Sequence, residues 1–196
     1  MSFSFIFIGD THGFIDDFKK QEEIISLFNP EFILCENLED LSLDSKEKFD
    51  RVLKNKKISN MTSFDELNRL IKLGYNKKIN LIGIDLPNFG FNKLLQNKIK
   101  NQEDLSVEEE NKIEELLKLR ENLHLKKILE YKEKTDKPII ILLGSWHLRE
   151  HSLLRDSLTN YKIFFPCDKK GNLLIEPPKD KNITYCEIIK NEKDKN

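Results

Sequence analysis

Two apolar runs in this chain end in the same four-residue device. Phe3-Ser4-Phe5-Ile6-Phe7-Ile8 leads into Gly9-Asp10-Thr11-His12, and Ile139-Ile140-Ile141-Leu142-Leu143 leads into Gly144-Ser145-Trp146-His147. Short Ile- and Phe-rich runs closed by glycine read as buried strands. Each device runs on into a helix-like segment, so each histidine is expected just past the carboxyl end of a strand. In one parallel sheet both imidazoles then emerge on the same edge, where open α/β sheets bind ligands.

The stretch between the two devices repeats the alternation. Asp16 to Phe28 has helical spacing (Phe18, Ile24, Ile25, Leu27, Phe28) and stops before Pro30. Residues 31–35 read as a second strand ending at Glu36, and residues 79–84 as a third ending at Asp85. Residues 37–60 read as an irregular or helical excursion. A helix over 63–73 is capped by Ser63 and stopped by Gly74. Pro87 and Gly90 mark a loop. Ser106 and Glu109 form a capping box that opens a helix from Val107 to about Lys134. A helix follows His147 to about Leu158, and residues 161–165 and 173–176 read as short late strands. The expected fold is α/β: one domain over 1–190, with a mainly parallel central sheet flanked by helices and late short strands. Residues 191–196 are expected to be a charged, frayed tail.

Composition narrows the function. Thirty-three basic residues stand against thirty-four acidic ones, a net charge of −1, without the clustered basic excess of a nucleic-acid footprint. No apolar run approaches the ~20 residues of a membrane helix. The run after Met1 is too short for a signal peptide and has no basic start. A cytoplasmic protein without nucleic-acid or membrane partners is expected, its ligand a small molecule or peptide. Cys35, Cys167 and Cys186 are far apart and form no CxxC, so they read as buried free thiols.

His12, Glu36, Asp85 and His147 each stand at a strand end. Two imidazoles and one or two carboxylates suit a divalent ion such as manganese, cobalt, zinc or iron, with His12, Glu36 and His147 as ligands. Without an ion the same groups suit general acid–base work. Glu36 follows Phe-Ile-Leu-Cys, where an unpaired charge is costly to bury. Asp10 either serves the site or caps its turn. Leu116, Leu117 and Leu123 set an inward stripe with Arg120 at its edge, so its guanidinium is expected to pair with Glu36 or Asp85. His124, among lysines, reads as solvated. His151 stands one helical turn past His147, a spacing that can bind zinc.

The ordered set resembles one superfamily, which holds the TraB/PrgY proteins, the Tiki proteases, ChaN-like haem-binding lipoproteins and erythromycin-esterase-like enzymes. Gly9 to His12 is similar to its first GxxH, Pro30 to Glu36 to its strand ending in Glu, and Leu81 to Asp85 to its Gly-hydrophobic-Asp element. Leu119-Arg120-Glu121-Asn122 is similar to its Arg-bearing helix, and Ile141 to Leu148 to its second GxxH. Leu86-Pro87 stand where that superfamily usually carries an arginine, and Trp146 where it carries a small residue. The resemblance implies a metal-dependent hydrolase with His12, Glu36, Asp85, Arg120 and His147 as catalytic residues and Asp10 and Trp146 at the substrate. A second resemblance competes: Gly9-Asp10-Thr11-His12-Gly13 looks like the opening DxH of calcineurin-like metallophosphoesterases, with Asp10 and His12 as ligands. A third expectation is a non-catalytic binding or regulatory protein that uses the same cleft.

Overall fold

The computed structural model describes residues 3–10, 17–174 and 184–191. Residues 11–13 of the first turn, His12 among them, residue 16 of the expected first helix, residues 175 and 176 of the expected last strand and residues 192–196 of the expected tail lie outside the described residues. Among the described residues seven strands form one sheet. They are β1 (Phe5–Asp10), β2 (Phe32–Cys35), β3 (Ser42–Leu43), β4 (Asn80–Gly83), β5 (Ile139–Gly144), β6 (Tyr161–Cys167) and β7 (Thr184–Lys190), in the order β3-β4-β2-β5-β1-β6-β7. The inner five run parallel, and β3 and β7 pair antiparallel on the outside. The α/β class, the single domain and the mainly parallel sheet are as the sequence indicates.

Alternating side chains of the inner strands feed two cores, as expected for a sheet covered on both faces. Ile6, Ile8, Ile33, Cys35, Leu81, Ile140 and Leu142 pack on one face with α1 (Asp17–Phe28), α2 (Lys46–Asn55) and α3 (Phe64–Lys77). Phe5, Phe7, Leu34, Ile82, Ile139, Ile141 and Leu143 pack on the other with α5 (Val107–Lys132) and α6 (Leu153–Ser157). The β1–α1–β2 and β5–α6–β6 connections therefore cross opposite faces. The chain parts at the carboxyl ends of β1 and β5, which are neighbours with Asp10 opposite Gly144. That parting is the crevice where such sheets bind ligands.

Several boundaries differ from the sequence reading. Gly74 does not stop α3; it is buried within it, and a Cβ there would meet Leu81 Cγ at 2.9 Å. The helix ends instead at left-handed Lys78. The excursion resolves into a short 3-10 turn, β3 and α2. An unexpected helix, α4 (Lys93–Asn101), is capped by Asn92. The helix after His147 is short: a 3-10 turn over Ser145–Leu148, then α6. Leu173 makes only an isolated bridge to Cys167, and β7 was not anticipated.

The cysteine reading is corrected in part. Cys167 and Cys186 form a disulfide, and Cys35 alone is free and buried. Antiparallel pairing of β6 and β7 brings the two together across the ladder, which spacing along the chain does not reveal. The bond closes a loop of sequence separation 19, so it should add about 3 kcal/mol by constraining the unfolded chain. Denatured, unreduced protein should titrate one thiol, and reduction should lower the unfolding free energy by that amount. Three reactive thiols before reduction would contradict the pairing.

Candidate active site

The site grows from the strand ends. Glu36 opens the 3-10 turn directly after β2, and its carboxylate crosses to β5, where the Gly144 N–H donates to Oε2 at 2.5 Å. A Cβ at Gly144 would sit 3.3 Å from that same oxygen, so the glycine of the second GxxH lets the carboxylate lie against the strand. Gly9 serves packing in a similar way, because a Cβ there would meet Ser145 Oγ at 2.8 Å.

Arg120 reaches in from α5 and joins two carboxylates. Its Nε donates to both Asp85 oxygens at 2.9 Å, and its Nη2 donates to Asp85 Oδ2 at 2.7 Å and Glu36 Oε1 at 2.5 Å. Phe89 covers the guanidinium at 4.9 Å. Phe89 and Asn88 both take positive φ, a backbone strain typical of functional loops. Glu39, missed in the sequence, secures this loop. Its buried carboxylate accepts from the Ser59 and Thr62 hydroxyls and the Asn88 N–H, and its carbonyl takes the Asp85 N–H at 2.9 Å.

His147 lies between two acids. Nδ1 is 3.3 Å from Glu121 Oε1, and Nε2 is 3.4 Å from Glu36 Oε1. Arg149 Nη1 holds Glu121 at 2.5 Å while its guanidinium stacks on half-exposed Trp146. Glu121 was not anticipated, and His124 is corrected outright. Rather than solvated, it is fully buried, with Nε2 3.0 Å from Asp85 Oδ2 and its ring edge-on to His147 at 4.9 Å. The signal was present as helical spacing: Arg120, Glu121 and His124 stand at i, i+1 and i+4, so α5 buries a polar stripe where the sequence suggested an apolar one. Asp10, at the end of β1, accepts from Asn37 Nδ2 at 3.3 Å. His151 is exposed and takes no part among the described contacts.

These charges hold one another's protonation. Burial alone would raise Glu36, but His147 and Arg120 overcome it and keep the carboxyl well below its usual range. Burial likewise opposes ionisation of Asp85, and hydrogen bonds from His124 and Arg120 pull it down. Glu121 falls to about 2 against its own burial, through His147 and Arg149. Burial would lower His147, yet Glu36 and Glu121 raise it to about 9. His147 thus contributes stability that is complete below the unfolded imidazole value of about 6.5 and is lost as pH rises to about 9. The three carboxylates contribute stability present above their unfolded values of about 4 and lost as pH falls below them. The urea midpoint should therefore be highest near pH 5–6.5 and decline on both sides; a flat profile between about 6.5 and 9 would contradict this.

The implied divalent ion can be tested against these groups. Among the described residues no three His, Cys, Asp or Glu side chains are arranged to hold one, and His12 lies outside them. A ligand imidazole must be neutral with a free lone pair. Here both His147 nitrogens face carboxylates, and both Glu36 oxygens already accept hydrogen bonds. As placed, these groups fit protons rather than a resident ion.

Among the described residues no helix is long and apolar enough to cross a membrane. No family model matches this chain, and no curated protein or solved structure does either.

Proposed function

We propose that the chain is a hydrolase of acyl compounds, working by acid–base chemistry at the β1/β5 edge. The observation that supports it most is His147 held between Glu36 and Glu121 inside a buried, mutually neutralised set of charges. Removing so many charges from water does not by itself stabilise a fold, and strongly shifted groups gathered at a strand edge mark functional sites.

In this reading His147 is the proton donor. Its Nδ1 is hydrogen-bonded to Glu121, while Nε2 makes only a 3.4 Å ionic contact with Glu36, so the Nε2–H is the proton that a substrate atom seated beside Glu36 would share. His12 enters from the sequence, two residues past the strand end that pairs with Gly144. It takes a proton from water, whose oxygen attacks the carbonyl carbon. The His147 proton passes to the leaving oxygen or nitrogen as its bond to carbon breaks. Glu36 keeps His147 charged, Arg120 and Asp85 keep Glu36 in place, and Asp10 and Trp146 flank the substrate. Both arginines near the centre are committed to carboxylates, so they leave no free guanidinium for a phosphoester.

The chain should therefore cleave 4-nitrophenyl acetate or a 4-nitroanilide, but not 4-nitrophenyl phosphate. Cleavage of the phosphate alone would favour the Asp10–His12 phosphoesterase, and binding without turnover would favour a regulatory protein. A divalent ion on His12, Glu36 and His147 remains the competing proposal; it requires a neutral His147 and displacement of Arg120 from Glu36. The cytoplasmic location is carried forward as a proposal too. Recovery of the Cys167–Cys186 bond from rapidly quenched cells would speak against it, since such bonds persist mainly in oxidising compartments.

A further inference from the structure

His124 has no assigned role in that mechanism, yet no residue near the site is harder to explain as packing. Its ring is fully buried on α5. Nε2 lies 3.0 Å from a carboxylate oxygen of Asp85, so Nε2 carries the hydrogen. Nδ1 is buried and has no hydrogen-bond partner among the described residues. A histidine kept only for stability would have both nitrogens satisfied, as buried polar groups almost always are. Nor does Asp85 need it as a counter-charge, because Arg120 already meets both carboxylate oxygens and the Leu86 N–H donates to Oδ1 at 2.6 Å.

We propose that His124 is a positioning residue that closes a ring of five side chains, His124–Asp85–Arg120–Glu36–His147, and so fixes the plane of the His147 imidazole. Four links are polar contacts between the named atoms. The fifth is the edge-on packing of His124 against His147, with ring centres 4.9 Å apart and planes at 75°. One helix supplies the two groups that bracket His147 apart from Glu36: Glu121 holds Nδ1, and His124, three residues on, abuts the ring. With both in place Nε2 is turned toward Glu36. Without His124 the His147 ring keeps its two acidic partners but loses the wall that fixes its tilt between them, and Asp85 loses the Nε2 donor on Oδ2.

This role rests on the hydrolytic reading, but its test does not depend on activity alone. His124→Phe keeps an edge-on ring and removes the donor; His124→Gln keeps a donor of similar reach and removes the ring. With folding checked by circular dichroism, each should lower kcat roughly tenfold to a hundredfold, the scale of a misplaced reacting group, with KM little changed. Each should also shift the 15N-edited NMR signals of the His147 ring. Unchanged kcat per folded molecule and unmoved His147 signals would overturn the proposal. Wild-type protein gives an independent reading that needs no variant to fold. His124 should show a slowly exchanging proton on Nε2 and a bare Nδ1, with ring-to-ring cross-peaks to His147. A proton on Nδ1, or no cross-peaks, would overturn it. Absence of any acyl hydrolysis by wild-type protein would count against the hydrolytic reading while the NMR result still decides the role of His124.

Discussion

Arg120→Met should destabilise the protein by about 3–5 kcal/mol, the usual consequence of removing one partner from a buried ion pair. For a chain of this size that lowers the thermal midpoint by roughly 10 °C. The guanidinium contacts Asp85 through Nε and Nη2 and Glu36 through Nη2, with its side chain 11% exposed. Met fills similar space but leaves two carboxylates facing each other with no cation between them. Like charges at such range raise one another's pKa, so the defect should be largest at neutral pH and shrink as the acids protonate near pH 4. Arg120→Lys should recover only part of the loss, because a point charge cannot fork across two carboxylates. Chemical denaturation of wild type and both variants at pH 7 and pH 4 checks this; a loss below about 1 kcal/mol for Met at pH 7 would mean that the pair is not buried as described.

His147→Gln should weigh the other way, costing the fold less and removing the reaction. Each group it touches keeps another partner: Glu36 retains Arg120 and the Gly144 N–H, and Glu121 retains Arg149. No acid is stranded, so the stability loss should be well below that of Arg120→Met. A glutamine cannot deliver a proton to a leaving group, and loss of a positioned acid typically lowers rate by about 10²–10⁴. Ester hydrolysis by folded variant and wild type, measured side by side, checks this. Equal rates would remove His147 from the reaction, whatever the rest of the centre does.

Which parts of this centre could be read in the sequence follows from where each signal resides. Strand runs are local, so β1, β2, β4 and β5 were legible, and with them the placement of Glu36 and His147 at strand ends. The pairing of Arg120 with an acid followed from its place beside a leucine stripe. Glu121 and His124 were not legible because their burial depends on partners from other elements. On α5 the leucines Leu119 and Leu129 are exposed while Glu121 and His124 are buried. Tertiary hydrogen bonding overrode hydrophobic patterning there. The disulfide and β7 were missed for a related reason: an edge strand is defined by its neighbour, and the pairing of Cys186 with β6 is set by register rather than by spacing. Gly74 illustrates the converse, where a residue that commonly ends helices is instead required inside one by the close approach of Leu81.

The central claim is that this edge hydrolyses acyl compounds with protons supplied by its own side chains. The most direct measurement is the rate of wild-type protein on its best acyl substrate after exhaustive chelation, with bound ions counted by elemental analysis. The expected result is a rate unchanged by chelation and less than one ion per chain. A rate abolished by chelation and restored by manganese, cobalt, zinc or iron would contradict it and give the strand-end residues to a metal instead.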